Sequence, residues 1–261
     1  MFDKEEHKKI FLEETPALIV RFESFIKFSQ GGYWGVPDPK PNGSCFWAPG
    51  MEVDKLIELG DSKLIEYMLG FDPGWFHNKK VVVLKDYYPE KHNLRIATGK
   101  EPGANGNFTG KIDGVIVPEA YNGKTSGGIK EIVSDRAPLS DMDDSVKIKL
   151  FPPKKSLRDI MRAYKKVVKE GGTIEIKENI NSEIKDLNNR IDKIQDYIAE
   201  RIEMISKDKT GIELEIKRNR DNISWLSKYG KELSQIKARI PKPIKLQEQV
   251  IHRPDIIGDA R

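Results

Sequence analysis

Residues 124–133 read KTSGGIKEIV. Two glycines stand before a run with strand character, and a carboxylate, Glu131, stands inside that run. Period-2 alternation puts Ile129, Glu131 and Val133 on one strand face and Lys130 and Ile132 on the other. A carboxylate sharing a face with two aliphatics belongs either to an edge strand or to a cleft. The glycines mean either an ordinary hairpin turn or a small-residue wall beside a ligand. A second glycine-rich run, TGKEPGANGNFTG, lies upstream at 98–110. It has the spacing of neither a P-loop nor a dinucleotide fingerprint. It reads as a surface loop or a recognition loop.

Outward from that stretch, the first half is a series of short strands. ALIVRFESFIKF (17–28), SCFWAP (44–49), KKVVVLKDYY (79–88), NLRIAT (93–98), GVIVPEA (114–120) and GGIKEIVSD (127–135) carry the β-branched and aromatic residues of strands. GGYWGVPDPKPNG (31–43) is a loop by its Gly and Pro content. Between them, EVDKLIELGDSKLIEYMLG (52–70) has helical periodicity broken at Gly60, with Asp61 or Ser62 placed to cap a second short helix. Strands outnumber helices without βαβ alternation, which predicts an α+β unit with a mostly antiparallel β-sheet.

The paired prolines of LFPPKKS (150–156) mark a boundary. Beyond it, 156–178 reads as a helix, a glycine stop and a short strand. That order is also found in Rossmann methyltransferases, but their glycine-rich nucleotide loop is absent. Ile180, Ile184, Leu187, Ile191, Ile194 and Ile198 then follow a 4-3-4-3-4 heptad seam that resumes at Ile205. The pattern breaks where Thr210-Gly211 can turn, and returns at Ile223, Leu226, Tyr229, Leu233, Ile236 and Ile240 until Pro241 and Pro243 end it. The expectation is a long antiparallel α-helical hairpin, coiled-coil-like. The predicted organisation is an α+β unit over 1–150, a helix–strand connector over 151–178, the hairpin over 179–241 and a flexible C-terminal tail over 242–261. One stripe of the hairpin has to pack on the first unit, on a second copy or on a partner protein.

Bulk properties narrow the function classes. Lys and Arg number 45 against 41 Asp and Glu, a formal net charge of +4, with both signs interspersed. Nucleic acid is not indicated by that balance. A single cysteine, Cys45, rules out an internal disulfide. No apolar run is long enough for a membrane span. The charged start, MFDKEEHKKIFLEE, is unlike a secretory signal. The expected compartment is the cytoplasm where the chain is made, and delivery to another cell without a cleaved signal stays compatible. The four histidines have no metal-ligand spacing, so no metal is expected. Cys45 with His77 or His92 is a conceivable nucleophile pair that no spacing marks. A small buried hydrophobe is the simpler reading of Cys45. The acidic cluster SDMDD (140–144) lacks EF-hand spacing and reads as a loop. Arg21, in the middle of LIVRFES, is either a solvated or ion-paired charge or a guanidinium reaching a phosphate.

The order of parts resembles the ADP-ribosyltransferase fold of NAD-using bacterial toxins and effectors, over about residues 15–135. The resemblance rests on an arginine in a first strand (Arg21), then a Ser with aromatics in a second (Ser44, Phe46 and Trp47). A helix over 52–69 and a late strand entered through a small-residue turn, carrying Glu131, complete it. It implies NAD as substrate, Glu131 as the catalytic carboxylate, Arg21 and Ser44 as cofactor-binding groups, and Tyr33, Trp34, Phe46 and Trp47 about the nicotinamide. It also implies that a cognate inhibitor protein is a natural partner. The family's Ser-Thr-Ser is reduced here to Ser44, and Ile129 stands where many transferases have a second Glu or Gln. That departure suits NAD hydrolysis, an unusual acceptor or an inactive fold. The competing reading is a non-enzymatic scaffold that docks partners, or itself, through 179–241.

Overall fold

The computed structural model describes residues 4–29, 31–34, 44–77, 79–96, 111–112, 115–116, 123–210 and 213–246. The 98–110 loop lies outside the described residues, as do most of the 114–120 strand and the tail beyond 246.

The architecture is α+β, with small antiparallel sheets and a long helical hairpin. Helix α1 (Lys4–Glu13) leads into strand β1 (Ala17–Arg21). β1 pairs antiparallel with β4 (Lys80–Asp86), which pairs on its other side with β10 (Met142–Lys149). A second sheet has the order β3 (Cys45–Trp47), β8 (Ile132–Ser134), β5 (Arg95–Ile96). Reciprocal backbone hydrogen bonds of 2.9 Å between Ala17 and Ala48 join the two sheets. Two further pairs are β2 (Tyr33–Trp34) with β9 (Ala137–Pro138), and β6 (Lys111–Ile112) with β7 (Val115–Ile116).

The run KVVVLKD explains why β4 is central. Val81 and Val83 face one buried cluster, while Val82 and Leu84 face a second. A strand covered on both sides reads as a continuous apolar run, not as an alternation. The second cluster is small and gathers Phe11, Trp34, Cys45, Trp47 and Ile132. The first is large and crosses the sequence boundary at 150–156. It joins Ile19, Val81 and Val83 to the helices on both sides of that boundary.

Those helices are α3 (Gly50–Leu59) and α4 (Ser62–Leu69) before the boundary. After it come α5 (Pro153–Glu170), α6 (Ile174–Lys207) and α7 (Glu213–Lys237). The break between α3 and α4 falls at Gly60, left-handed at φ +62°, and Asp61 caps α4 by accepting from the N–H groups of Lys63 and Leu64. In α6, Ile180, Ile184, Leu187, Ile191, Ile194 and Ile198 are all buried, as are Leu226, Tyr229, Leu233 and Ile236 of α7. The hairpin's apolar stripe is covered by α3, α4 and α5 of the same chain.

Four local expectations are corrected. The strand over 17–28 ends at Arg21, and Phe22–Phe28 is a helix, α2. Phe22 and Phe25 sit at helical spacing and pack on the second cluster, so tertiary packing overrides their β preference. The strand in the 151–178 connector does not form. Thr173 Oγ1 accepts from Ile176 N and caps α6, so the hairpin begins at Ile174, five residues earlier than the heptads suggested. Met142–Lys149 of the acidic-cluster region is strand, not loop. The first residues of the tail are pinned, with Asn181 of α6 exchanging two hydrogen bonds with the backbone of Ile244 at 2.7 and 2.9 Å.

Candidate functional site

The turn over 123–131 is held from three sides. Within it, Thr125 N donates to Ile129 O at 2.8 Å and Gly128 N to Thr125 O at 2.9 Å. Thr125 Oγ1 donates to Met68 O at the end of α4 (2.6 Å) and accepts from Ile129 N (3.1 Å). At Gly127 a Cβ would lie 2.4 Å from Met68 Cα, so only glycine lets the two backbones meet. Gly128 has φ +81°, and a Cβ there would meet Asn222 Nδ2 at 3.3 Å and Arg201 Nη2 at 3.9 Å. The glycines of KTSGGIKEIV thus allow close docking on α4, α6 and α7.

Where the hairpin receives this turn, its seam becomes polar. Arg201 is buried three residues beyond Ile198, and Glu215, Arg218 and Asn222 are buried on the facing stripe of α7. Glu215 accepts from Arg218 (3.0 Å) and Thr210 (2.6 Å) and faces Lys124 (3.4 Å). Asn222 Oδ1 accepts from Tyr67 OH at 2.6 Å, and the Tyr67 ring stacks on Trp225 with centroids 3.7 Å apart. Arg201 donates to Gly128 O and faces Glu52, both at 3.4 Å. Its Nε and Glu52 Oε2 are buried without a hydrogen-bond partner among the described residues. Unsatisfied buried groups of this kind cost about 1–3 kcal/mol each.

Beside this cluster is an open cavity of about 450 Å³. Gly128, Ile129 and Lys130 form one wall, Glu52 and Lys55 of α3 another, and Arg201 and Met204 of α6 a third. The size falls within the usual range of small-molecule sites. Four cations, Lys55, Lys124, Lys130 and Arg201, line it with the carboxylates Glu14, Glu52 and Asp208.

The residues singled out in the sequence are distributed as follows. β3 pairs with β8 through Cys45–Ser134, Phe46–Val133 and Trp47–Ile132, so Ser44, Phe46 and Trp47 lie on the strand beside the one Glu131 leads into. Glu131 is half-buried, one residue before β8 begins, with its N–H donated to Gly123 O at 2.6 Å. Ile132 and Val133 are both buried because β8 is central, and Ile129 is buried in the turn before it, which defeats the simple alternation. Trp47 is a core residue, 1% exposed, its indole N–H donated to Ser134 Oγ at 2.8 Å. Ser44 is also buried. Tyr33 is exposed and stands beside Arg136. Arg21 is at the far end of β1 from the Ala17–Ala48 junction, roughly 13 Å along the strand. Its guanidinium lies 3.7 Å over the Trp75 ring. Glu66 fixes that tryptophan by accepting from the N–H groups of Gly74 and Phe76. Of the residues singled out, Arg21, Tyr33, Ser44, Phe46 and Trp47 do not line the cavity, and neither does Glu131, whose preceding residues Gly128, Ile129 and Lys130 do.

Cys45 donates to Trp34 O at 3.1 Å, and burial pushes its thiol up to about 12. A thiol so disfavoured as thiolate is no nucleophile. His92 is bound by Asp86 (2.7 Å) and Asp141 (3.2 Å), a buried tie between the end of β4 and the start of β10. Among the described residues no cluster of three or more His, Cys, Asp or Glu is arranged to hold a metal ion, and no helix is long and apolar enough to cross a membrane.

Arg201, Glu52 and Lys124 were not singled out in the sequence, and alternation placed Lys130 only on the face away from Glu131. One signal was available. The 4-3 seam of α6 runs 194, 198, 201, 205, so a charged residue occupies a core position at 201. Compared with protein-family models, with curated proteins and with solved structures, the chain matches none.

Proposed function

We propose that the chain is an NAD-using enzyme of the toxin or effector kind, cleaving the nicotinamide–ribose bond with Glu131 as its carboxylate. One observation carries the reading: the turn that leads directly into Glu131 is a wall of a cavity of about 450 Å³ with cations around it. Lys124, Lys130 and Arg201 suit a pyrophosphate, a role the sequence resemblance gave to Arg21. Bond cleavage develops an oxocarbenium-like cation on the ribose. A fixed carboxylate favours that state over the ground state, an effect typically on the order of 10²-fold or more. Ile129, two residues before Glu131, is buried in the core and supplies no group to activate a protein acceptor. Water is therefore the proposed acceptor, and hydrolysis the proposed outcome.

The scaffold reading has less in its favour. Its surface was the apolar stripe of 179–241, and that stripe is covered within the chain.

Nicotinamide release by wild type and by Glu131→Gln is the test. Release that falls about 100-fold or more in a folded variant supports the proposal. Equal release in both, or none from wild type, removes it.

A further inference from the structure

A second groove, of about 720 Å³, lies between α5 and the end of α7. Its character is different. Lys154, Lys155, Arg158, Arg162 and Lys165 line it from α5, and Arg239 from beyond α7. All but the half-buried Lys155 are exposed. Among the described residues Lys154, Arg162, Lys165 and Arg239 have no carboxylate within ion-pair distance, and Arg158 has only an exposed contact with Asp159 at 4.0 Å. One carboxylate lines the groove, Glu232, and it is engaged by Lys63 at 2.6 Å. The formal charge of the whole chain is only +4. Six cations against the one carboxylate give the groove a formal +5, more than the whole-chain total, so a chain that looks balanced in sequence is polarised in space. The first turn of α5 holds Lys154 and Lys155 and no acid, adding cations to the positive end of the helix.

We propose that this groove binds the phosphate backbone of a nucleic-acid duplex, without reading its sequence. Lys154, Arg158, Arg162 and Lys165 recur at steps of four, four and three residues, a row of roughly 16 Å at the helical rise. A duplex carries one charge per about 1.7 Å of axis with both strands counted, so about five phosphates of each strand lie along that row. Few ligands offer a charge density that high on a stiff rod. No Phe, Tyr or Trp lines the groove, so there is no platform on which single-stranded bases could stack. Leu157, Met161 and Ile236 lie on its floor, where a low-dielectric surface focuses the field.

The test is fluorescence anisotropy of the full chain with labelled 20-base-pair DNA and RNA duplexes, between 50 and 200 mM salt. Wild type is compared with Arg158→Gln/Arg162→Gln/Lys165→Gln, exposed positions where glutamine keeps helix propensity. A charge-matched control carries Lys217→Gln/Lys228→Gln/Lys231→Gln on exposed positions of α7 outside the groove. The expected result is micromolar binding at 50 mM salt and a linear loss of log affinity with log salt. The groove variant should lower that slope by about three and weaken binding at least about tenfold, with little change in the control. Absence of binding to either duplex at 50 mM salt overturns the proposal. So does equal weakening by both variants, or binding of single strands, polyglutamate or anionic vesicles at least as tight as that of duplex.

Discussion

Gly127 lies so close to Met68 that a Cβ at 127 would sit 2.4 Å from Met68 Cα and 2.5 Å from its carbonyl oxygen. That contact fixes the 123–131 turn to the end of α4. The turn in turn meets Arg201 and Asn222 of the helical hairpin, so the placement of Glu131 depends on residues about 70 to 90 positions further along.

Gly127→Ala should be among the most damaging small changes, because backbone, not a flexible side chain, occupies the space. The expected loss is about 3 kcal/mol by chemical denaturation. Gly32→Ala is the contrast. Gly32 has φ +80° but nothing within 4 Å of a built Cβ, so it should lose only about 1 kcal/mol, from backbone strain.

Asn222→Ala removes the acceptor of the Tyr67 hydroxyl and leaves that phenol next to the polar end of the seam. A cost of about 1–3 kcal/mol is expected. Tyr67→Phe/Asn222→Ala should recover part of it, since both partners are then removed together. A double-mutant cycle by thermal or urea unfolding measures the difference.

Cys45 supplies a pH prediction. Its thiol titrates near 9.0 when unfolded and is pushed to about 12 in the fold, first by burial. Between those values the unfolded chain has lost a proton that the folded chain keeps. Its contribution is therefore fully present below about 9 and is lost as pH rises toward 12. Cys45→Ala should flatten the fall in stability over that window. The native thiol should also resist a thiol-specific reagent at pH 8 and react once urea unfolds the chain.

His92→Ala would leave Asp86, fully buried, without its ring partner and free Asp141 as well. Losing a buried hydrogen bond to a carboxylate typically costs about 1–3 kcal/mol. Unfolding of this variant should start near β4 and β10, seen as early hydrogen exchange in 80–86.

Much of the fold is written in local pattern. The split of α3 from α4 at Gly60 with Asp61 as cap, and the two-part seam from Ile180 to Ile236, follow from helical period and capping chemistry. Elements that fail locally are those where packing decides. Phe22–Phe28 and Thr173 through Glu178 have β-favouring residues, yet one packs as a helix on the second cluster and the other is captured by the Thr173 cap. The candidate site was half legible. KTSGGIKEIV pointed to a turn that walls the cavity, and β3 does lie against β8. Arg21 was misleading, because nothing in LIVRFES announces that Trp75, 54 residues away, will stack on it. Arg201 was hidden for the opposite reason: as one charge among many it looks solvated until the seam is counted through it.

The central claim is that the 123–131 turn walls a site for NAD. The most direct measurement is backbone amide NMR of the full chain titrated with an NAD analogue whose nicotinamide–ribose bond cannot be cleaved. The account predicts saturable shifts at Gly128, Ile129, Lys130 and Arg201, weakened by Lys130→Gln. Shifts absent from those residues at millimolar analogue, or confined to the basic groove of α5, would contradict it.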